Sequence, residues 1–301
     1  MAISLTLQST DTADSPVFDT FFEAYERAFV LPDEMEDREG FATCLSLNHG
    51  AAKSRLTAQY GDFHEACVVA HDASEGTLIG GANFIAMPNP GANGRALITA
   101  NLNYLFIVEA ARGKGYFRAL YAAVAGFIAE LFSDAAQPAL IFIEQNDPFL
   151  LTPEDYARDT ELTGIDQIDR LAIWTKVGAK LVDFPYVQPA LSSDQSADHN
   201  LAYSVLGSMS DALPAPILAH HLRMFFGVSV LKGQALGLSP EVTEQLSLLD
   251  SMRKGGESVP LVDLAGRFDE MATARSAGQR GRALREWLRC DQAFEGSAID
   301  L

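Results

Sequence analysis

Residues 102–131, LNYLFIVEAARGKGYFRALYAAVAGFIAEL, contain the pattern from which the fold is predicted. The first part is apolar and rich in β-branched and aromatic residues, which predicts a buried strand ending near Val108. We expect one face of this strand to carry Ile98, Ala100, Leu102, Tyr104, Phe106 and Val108. A short turn, Arg112–Gly115, follows. The helix after it has an apolar stripe at i, i+3, i+4 and i+7 spacing, made of Phe117, Leu120, Tyr121, Val124, Phe127, Ile128 and Leu131.

The Arg112–Gly115 turn has the composition of an anion site. The first amides of a helix lack partners, and the helix dipole places partial positive charge there. Glycines let the backbone approach an oxygen closely, and Arg112 and Lys114 add full charges. A phosphate or pyrophosphate is the ligand that this pattern favours. A plain glycine turn with two solvated basic residues fits the same letters.

Two common phosphate-binding loops do not match this turn. The P-loop pattern fails because Gly115 stands where Ser or Thr should follow the lysine, Lys114. The dinucleotide pattern G-x-G-x-x-G fails because Arg118 occupies its third glycine. The run from Arg112 to Phe117 instead resembles motif A of the GNAT acyltransferase superfamily, R/Q-x-x-G-x-G/A, with Phe117 where Gly or Ala is usual.

The resemblance implies acetyl-CoA, or another acyl-CoA, as co-substrate. In this superfamily the strand before the turn binds the pantetheine arm and the turn amides bind the pyrophosphate. The residues implied for this binding are Phe106, Ile107, Val108, Arg112, Gly113, Lys114, Gly115, Tyr116, Phe117 and Asn146. The resemblance also implies that a backbone N–H at Phe106–Val108 stabilises the thioester oxygen.

Composition narrows the partners. The net charge of −18 argues against nucleic acid and anionic membranes as partners. Residues 1–208 carry −16 of this charge, which favours a cationic acceptor or reflects plain solubility.

No apolar run long enough to span a bilayer and no signal-peptide pattern is seen, so a cytoplasmic protein is predicted. Cys44, Cys67 and Cys290 are scattered, as expected of reduced thiols. No metal is expected, since His220 and His221 are adjacent on a predicted helix and point apart.

The remaining patterns predict an α/β (α+β) fold, a GNAT-like mixed central sheet with flanking helices and a C-terminal helical appendage. The predicted order is a strand, two helices, three antiparallel strands, a helix, a strand, a helix and two strands. An extra acidic helix starts at Thr152-Pro153-Glu154. We predict an acyltransferase domain over 1–207 and a helical extension over 208–301, with one helix at about 260–275. The sequence leaves three roles open for the extension: it packs on the core, covers the acceptor site, or forms a homodimer contact.

The candidate catalytic residue is Glu144, at the end of the predicted strand 139–144. Transfer to an amine requires a base, and carboxyl ends of strands are where ligands bind in open α/β sheets. A solvated strand-end acid is the competing interpretation. The superfamily often has a tyrosine that acts as the acid where this chain has Trp174, which cannot donate a proton usefully. Either Tyr156 or Tyr186 then serves as the acid, or the CoA thiolate leaves without one. As a hypothesis, a set of acidic residues steers a cationic amine toward the cleft, and these are Glu34, Glu36, Glu154, Asp155, Asp159 and Glu161.

The prediction is therefore an N-acyltransferase that moves an acyl group, most simply acetyl, to the primary amine of a small molecule or peptide in a ternary complex. The absence of a cysteine near the expected cleft in sequence argues against an acyl-enzyme. The alternative is a module with the same fold that senses acyl-CoA without turnover. A third class is an unrelated nucleotide-binding α/β protein.

Overall fold

The computed structural model describes residues 3–29, 35–91, 96–132, 138–191 and 195–295, and for residues 290–295 it gives the backbone alone. Glu34 lies outside these residues. The strands are β1 (Leu5–Thr10), β2 (His64–Asp72), β3 (Leu78–Asn89), β4 (Leu97–Ile107), β5 (Ala139–Asn146), β6 (Lys180–Val182), β7 (Leu201–Leu206), β8 (Ala212–Pro214) and β9 (Ser258–Val262). They form one sheet in the order β1-β2-β3-β4-β5-β7-β6-β9-β8.

The helices cover both faces of this sheet. They are α1 (Pro16–Ala28), α2 (Arg38–Ser46), α3 (Gly50–Tyr60), α4 (Tyr116–Glu130), α5 (Pro153–Thr163), α6 (Gln167–Thr175), α7 (Ala215–Phe225), α8 (Pro240–Lys254), α9 (Phe268–Ser276) and α10 (Leu284–Glu295). Local capping explains the starts of α1 and α5, where Ser15 and Thr152 accept bonds from first-turn amides just before a proline. The predicted α/β fold with a mixed sheet and flanking helices is confirmed.

The strand–turn–helix unit forms as predicted. β4 and β5 are parallel and flank the α4 crossover, while β2, β3 and β4 are antiparallel. Leu120, Val124 and Ile128 of α4 are fully buried against Ala100 and Ile141 in one apolar cluster. Burying each of these aliphatic side chains contributes roughly 1.5–3 kcal/mol, so the predicted stripe does hold α4 on the sheet.

The predicted face of β4 is wrong beyond Leu102. The β3–β4 register shifts so that Asn83 faces Tyr104 and Phe84 faces Leu102, which leaves Asn103 as an extra residue in a β-bulge. Leu102 therefore packs with α4, whereas Phe106 packs in the cluster with α1 on the opposite side. A bulge cannot be read from alternation alone, because it changes the alternation itself.

The C-terminal extension contains strands that the helical prediction missed. β9 pairs with β6 and β8 pairs with β9, so residues 258–262, predicted to begin a helix, form a strand instead. α7 packs under the sheet, where Leu218 and Leu222 share one buried cluster with Ile85, Phe142 and Val205. The boundary at 207/208 stays a prediction, and residues on its two sides share both a sheet and an apolar cluster.

Candidate functional site

A wedge-shaped gap separates the two central parallel strands. β4 and β5 pair only from Ile98 with Ala139 to Asn101 with Phe142, although both strands continue further. Beyond that point β5 pairs with β7 on its other edge, and the edge of β4 that faces β5 is unpaired. A cavity of about 1220 Å³ opens here, lined by Leu102–Ile107 of β4 and Ile143–Asn146 of β5. Ligands commonly bind where neighbouring strands separate in this way.

Glu144 lies at the base of the gap. The last β5 residue that pairs with β4 is Phe142, which is level with Asn101. Glu144 follows Phe142 by two positions, so its side chain lies on the same face as that of Asn101. Asn101 Nδ2 donates a hydrogen bond to Glu144 Oε2 at 3.5 Å, and the Tyr186 hydroxyl donates to Oε1. Burial raises the pKa of Glu144 to about 7, although both hydrogen bonds lower it. A carboxyl with a pKa near neutrality can take a proton from an amine.

A chain of hydrogen bonds fixes the Asn101 amide. The Tyr203 hydroxyl donates to Asn101 Oδ1 at 2.8 Å and lies 2.8 Å from His221 Nε2. Because its one proton is given to Asn101, Tyr203 must accept from the Nε2–H of His221. Burial lowers the pKa of His221 to about 3, so the ring is neutral. The chain keeps Asn101 Nδ2 directed at Glu144.

The turn before α4 is open. Gly113 (φ 74°) and Gly115 (φ 83°) are both left-handed, and a Cβ placed on Gly113 would meet nothing within 4 Å. Gly115 is the N-cap of α4 and offers no side-chain cap, so the first helix amides have no side-chain acceptor there. Lys114 is exposed between the two glycines, while Arg112 Nε donates to the Ile107 carbonyl at 3.3 Å. Among the described residues, the turn combines first-turn amides that lack a side-chain cap with positive charge.

Most of the residues predicted to bind acyl-CoA border the same cavity. Those lining it are Phe106, Ile107, Arg112, Gly113, Gly115, Tyr116, Phe117 and Asn146. Lys114 lies outside the lining, within the turn that borders it. The Val108 N–H donates to the Ile79 carbonyl at 2.9 Å, so it is already used within the sheet. Since strand amides alternate between edges, the Ile107 N–H points into the gap and the Phe106 N–H points to β3.

Several other predicted residues have structural partners. Trp174 packs edge-on against Phe117, with ring centroids 4.9 Å apart, as expected of a packing residue. The Tyr156 hydroxyl donates to Asp166 at 2.7 Å. The buried Asp159 pairs with Arg170, and Glu36 pairs with Lys232 at 2.9 Å.

The acids of α5 lie outside the cavity lining, and they are Glu154, Asp155, Asp159 and Glu161. Their steering role therefore has no direct contact to support it, and it stays a hypothesis. The last residue of α5, Thr163, and the two residues after it, Gly164 and Ile165, do line the cavity.

The sequence missed a second acid at the other end of the cavity. Glu65 of β2 is 1% exposed and lines the cavity together with Asn83, Asn103 and Ser229. Ser229 comes from a π-helical turn, Phe226–Val230, that extends α7. Glu65 and Ser229 are 164 residues apart, so no local sequence signal could have joined them.

Cys44 also lines this end of the cavity, which corrects the expectation that no cysteine lies near the cleft. Its Sγ donates to the Ser229 carbonyl at 3.4 Å, and burial raises the pKa of the thiol well above its usual value. A protonated, buried thiol is a poor nucleophile, so the presence of Cys44 in the lining does not by itself favour an acyl-enzyme.

Two absences concern the described residues alone. Within residues 3–295, apart from the gaps given above, no three His, Cys, Asp or Glu side chains are grouped to hold a metal ion. In the same part of the chain, no helix is both long and apolar enough to cross a membrane.

Comparisons with known proteins give similar solved structures but no matching sequence. No protein-family model matches the chain, and no curated protein matches it. The ribosomal-protein-S18-alanine N-acetyltransferase from Escherichia coli is 15% identical with a TM-score of 0.34, over 69% of this chain and 96% of that one. An aminoglycoside 6'-N-acetyltransferase complexed with coenzyme A is 13% identical with a TM-score of 0.36, over 66% and 95%. Arabidopsis thaliana NAA60 in complex with acetyl-CoA is 12% identical with a TM-score of 0.37, over 67% and 97%. At these identities and TM-scores, function has to be inferred from the residues of this chain.

Proposed function

We propose that this chain is an acyl-CoA-dependent N-acyltransferase acting on a primary amine. The observation that carries the proposal is the gap between β4 and β5, with an open, positively charged turn at one end and Glu144 at its base. Acetyl is the simplest acyl group. Buried free thiols at Cys44 and Cys67 are compatible with a reducing, cytoplasmic location.

The residues present fit an acyl-CoA. The unpaired edge of β4 offers backbone groups to an extended pantetheine arm, in the manner of an added strand. The Gly113–Gly115 turn offers amides and the Lys114 charge to a pyrophosphate. A Cβ placed on Gly113 would meet no described atom within 4 Å, so side chains do not fill the turn at this position. Bound there, acyl-CoA supplies an activated acyl group.

The Ile107 amide is the donor that we assign to the thioester oxygen. It points into the gap by strand alternation, whereas the Val108 amide is bonded to Ile79. An amide fixed in a strand needs no reorganisation as the oxygen gains negative charge, and one such donor typically contributes about 2.7–4 kcal/mol.

Glu144 is the proposed base. A new C–N bond forms as the amine attacks the thioester carbon, and Glu144 takes the proton that the nitrogen loses. The C–S bond breaks with its electron pair left on sulfur. Tyr156 and Tyr186 donate to Asp166 and Glu144, so neither hydroxyl is free to serve as acid. The thiolate therefore leaves unaided and takes a proton from water. Glu144 gives the proton that it took from the amine to the hydroxide that remains, which restores the carboxylate.

Two measurements test the proposal. The protein is titrated calorimetrically with acetyl-CoA, and thiol release is then followed over a panel of primary amines. Saturable binding together with amine-dependent thiol release supports it. Binding without thiol release on any amine indicates an acyl-CoA sensor, the function that the missing tyrosine at Trp174 would favour. ATP binding without CoA binding would place the chain among nucleotide-binding α/β proteins.

A further inference from the structure

The inner end of the cavity contains a carboxyl group that the proposed reaction does not use. Glu65 is 1% exposed, and its Oε1 accepts a hydrogen bond from Ser229 Oγ at 3.3 Å. Its Oε2 is buried and has no partner among the described residues, yet the side chain lines the cavity. A buried carboxyl oxygen without a partner is costly, and a ligand with a hydrogen-bond donor would remove that cost.

Polar side chains join Glu65 to Glu144 along one face of the sheet. Asn101 Nδ2 donates to Asn103 Oδ1 at 2.9 Å, and Asn103 Nδ2 lies 3.4 Å from Ser229 Oγ, the donor to Glu65. Glu65 is level with Ile85 of β3, which is level with Asn101 of β4. The two acids therefore share a face, three strand spacings apart. Because β4 and β5 separate before Glu144, their backbones are at least about 14 Å apart.

The surroundings of Glu65 favour a cation. Aromatic side chains line this end of the cavity, and they are Phe29, Phe41, Tyr104 and Phe106. Aromatic faces attract ammonium groups. The nearby cation, Lys232, is bonded to Glu36 at 2.9 Å, so that pair is nearly neutral as a unit. The thiols of Cys44 and Cys67 are protonated, since burial raises the pKa of each.

We infer that the acceptor carries two amino groups, one held as an ammonium by Glu65 and the other acylated beside Glu144. This inference rests on the proposed function and names its substrate class, a flexible diamine or polyamine. Ser229 belongs to the C-terminal extension, so the extension completes the acceptor site. An acceptor with a phosphate or carboxylate at this position would not gain this attraction, and Lys232 is already bonded to Glu36.

Binding of such an acceptor should release a proton. Burial, which has the largest effect, and Glu36 together raise the pKa of Glu65 to about 8, although Ser229, Asn83 and Lys232 lower it. At pH 7 the empty site is therefore mainly protonated. An ammonium beside Glu65 favours the carboxylate, so the proton leaves on binding.

The test compares α,ω-diamines of three to eight carbons with n-alkylamines of equal length. With acetyl-CoA present, we expect kcat/KM for the best diamine to exceed that of its matched monoamine by at least tenfold. Glu65→Gln should bring this ratio close to one. Glu154→Gln, which removes an exposed acid outside the cavity, should leave the ratio as it is. Equal rates for diamines and monoamines, or a ratio unchanged in Glu65→Gln, would overturn the inference while leaving the acyltransferase assignment intact.

Calorimetry of the same diamines, in two buffers of different ionisation enthalpy, decides the matter if no amine releases thiol. The proposed function then fails on its own terms. Diamine binding with proton release that is lost in Glu65→Gln would still support the ammonium site. No diamine binding by the CoA-saturated protein would refute it.

Discussion

The Tyr186 hydroxyl donates a hydrogen bond to Oε1 of Glu144, although the two residues are 42 positions apart. The Tyr186 ring stacks on Tyr203, with centroids 4.1 Å apart, and Tyr203 in turn bonds Asn101. Glu144 is thus bonded on one oxygen by Tyr186 and on the other by Asn101. This arrangement holds the proposed base in position and lowers its pKa, which burial raises.

Replacing Glu144 with Gln should abolish most turnover. The amide keeps the shape of the side chain but cannot accept a proton at neutral pH, and general-base catalysis typically contributes 10²–10⁴-fold. Steady-state thiol release measures the change in kcat. Glu154→Gln is the matched control, because it makes the same chemical change at an exposed site outside the cavity. A kcat for Glu144→Gln within a factor of three of the parent protein would show that Glu144 is not the base.

Replacing Tyr186 with Phe should move the acid limb of the pH–rate profile. The hydrogen bond from Tyr186 lowers the pKa of Glu144, which burial has raised to about 7. Without that bond the pKa rises, so less carboxylate is present at pH 7 and the limb moves to higher pH. The measurement is kcat/KM from pH 5.5 to 9. Tyr121→Phe on α4 serves as the control, and a limb that stays in place in Tyr186→Phe contradicts the assignment.

Glu65 should make the protein less stable as the pH rises. Its pKa is about 8 in the folded chain against an ordinary value of 4.5, so between these values the folded state binds more protons than the unfolded state. The free energy of unfolding then falls with rising pH, by at most about 1.4 kcal/mol per pH unit for one group. Glu65→Gln removes this dependence. Thermal unfolding of both proteins from pH 5 to 8 should show the variant gaining stability relative to the parent, and a constant difference would refute the prediction.

Asp147 should anchor the start of α10. It is 2% exposed, its Oδ2 accepts from the Leu284 amide at 2.7 Å, and its Oδ1 accepts from the Phe149 amide at 2.9 Å. Asp147→Ala leaves both buried amides without partners, which costs about 1–3 kcal/mol each. Urea unfolding measures the loss. Asp250→Ala, at an exposed ion pair on α8, should change stability little, and equal losses in the two variants would count against the anchor.

The sequence was informative where the determining contacts are local. The apolar stripe of α4, the caps at Ser15 and Thr152, and the position of Glu144 two residues before the end of β5 at Asn146 are close to what neighbouring letters predict. The sequence did not predict features that depend on contacts between residues far apart in the chain. The bulge at Asn103, the pairing of β9 with β6, and the meeting of Glu65 with Ser229 depend on the assembled sheet, so no window along the chain contains them.

The most direct test of the central claim is the affinity for acetyl-CoA, measured by titration calorimetry in three proteins. Lys114→Glu reverses a charge in the turn before α4, and Lys176→Glu makes the same change at an exposed site outside the cavity. We expect Kd to rise about tenfold or more for Lys114→Glu, which corresponds to about 1.4 kcal/mol, and to change less than twofold for Lys176→Glu. Equal affinities in all three proteins would contradict the placement of the pyrophosphate at this turn, and with it the acyltransferase assignment.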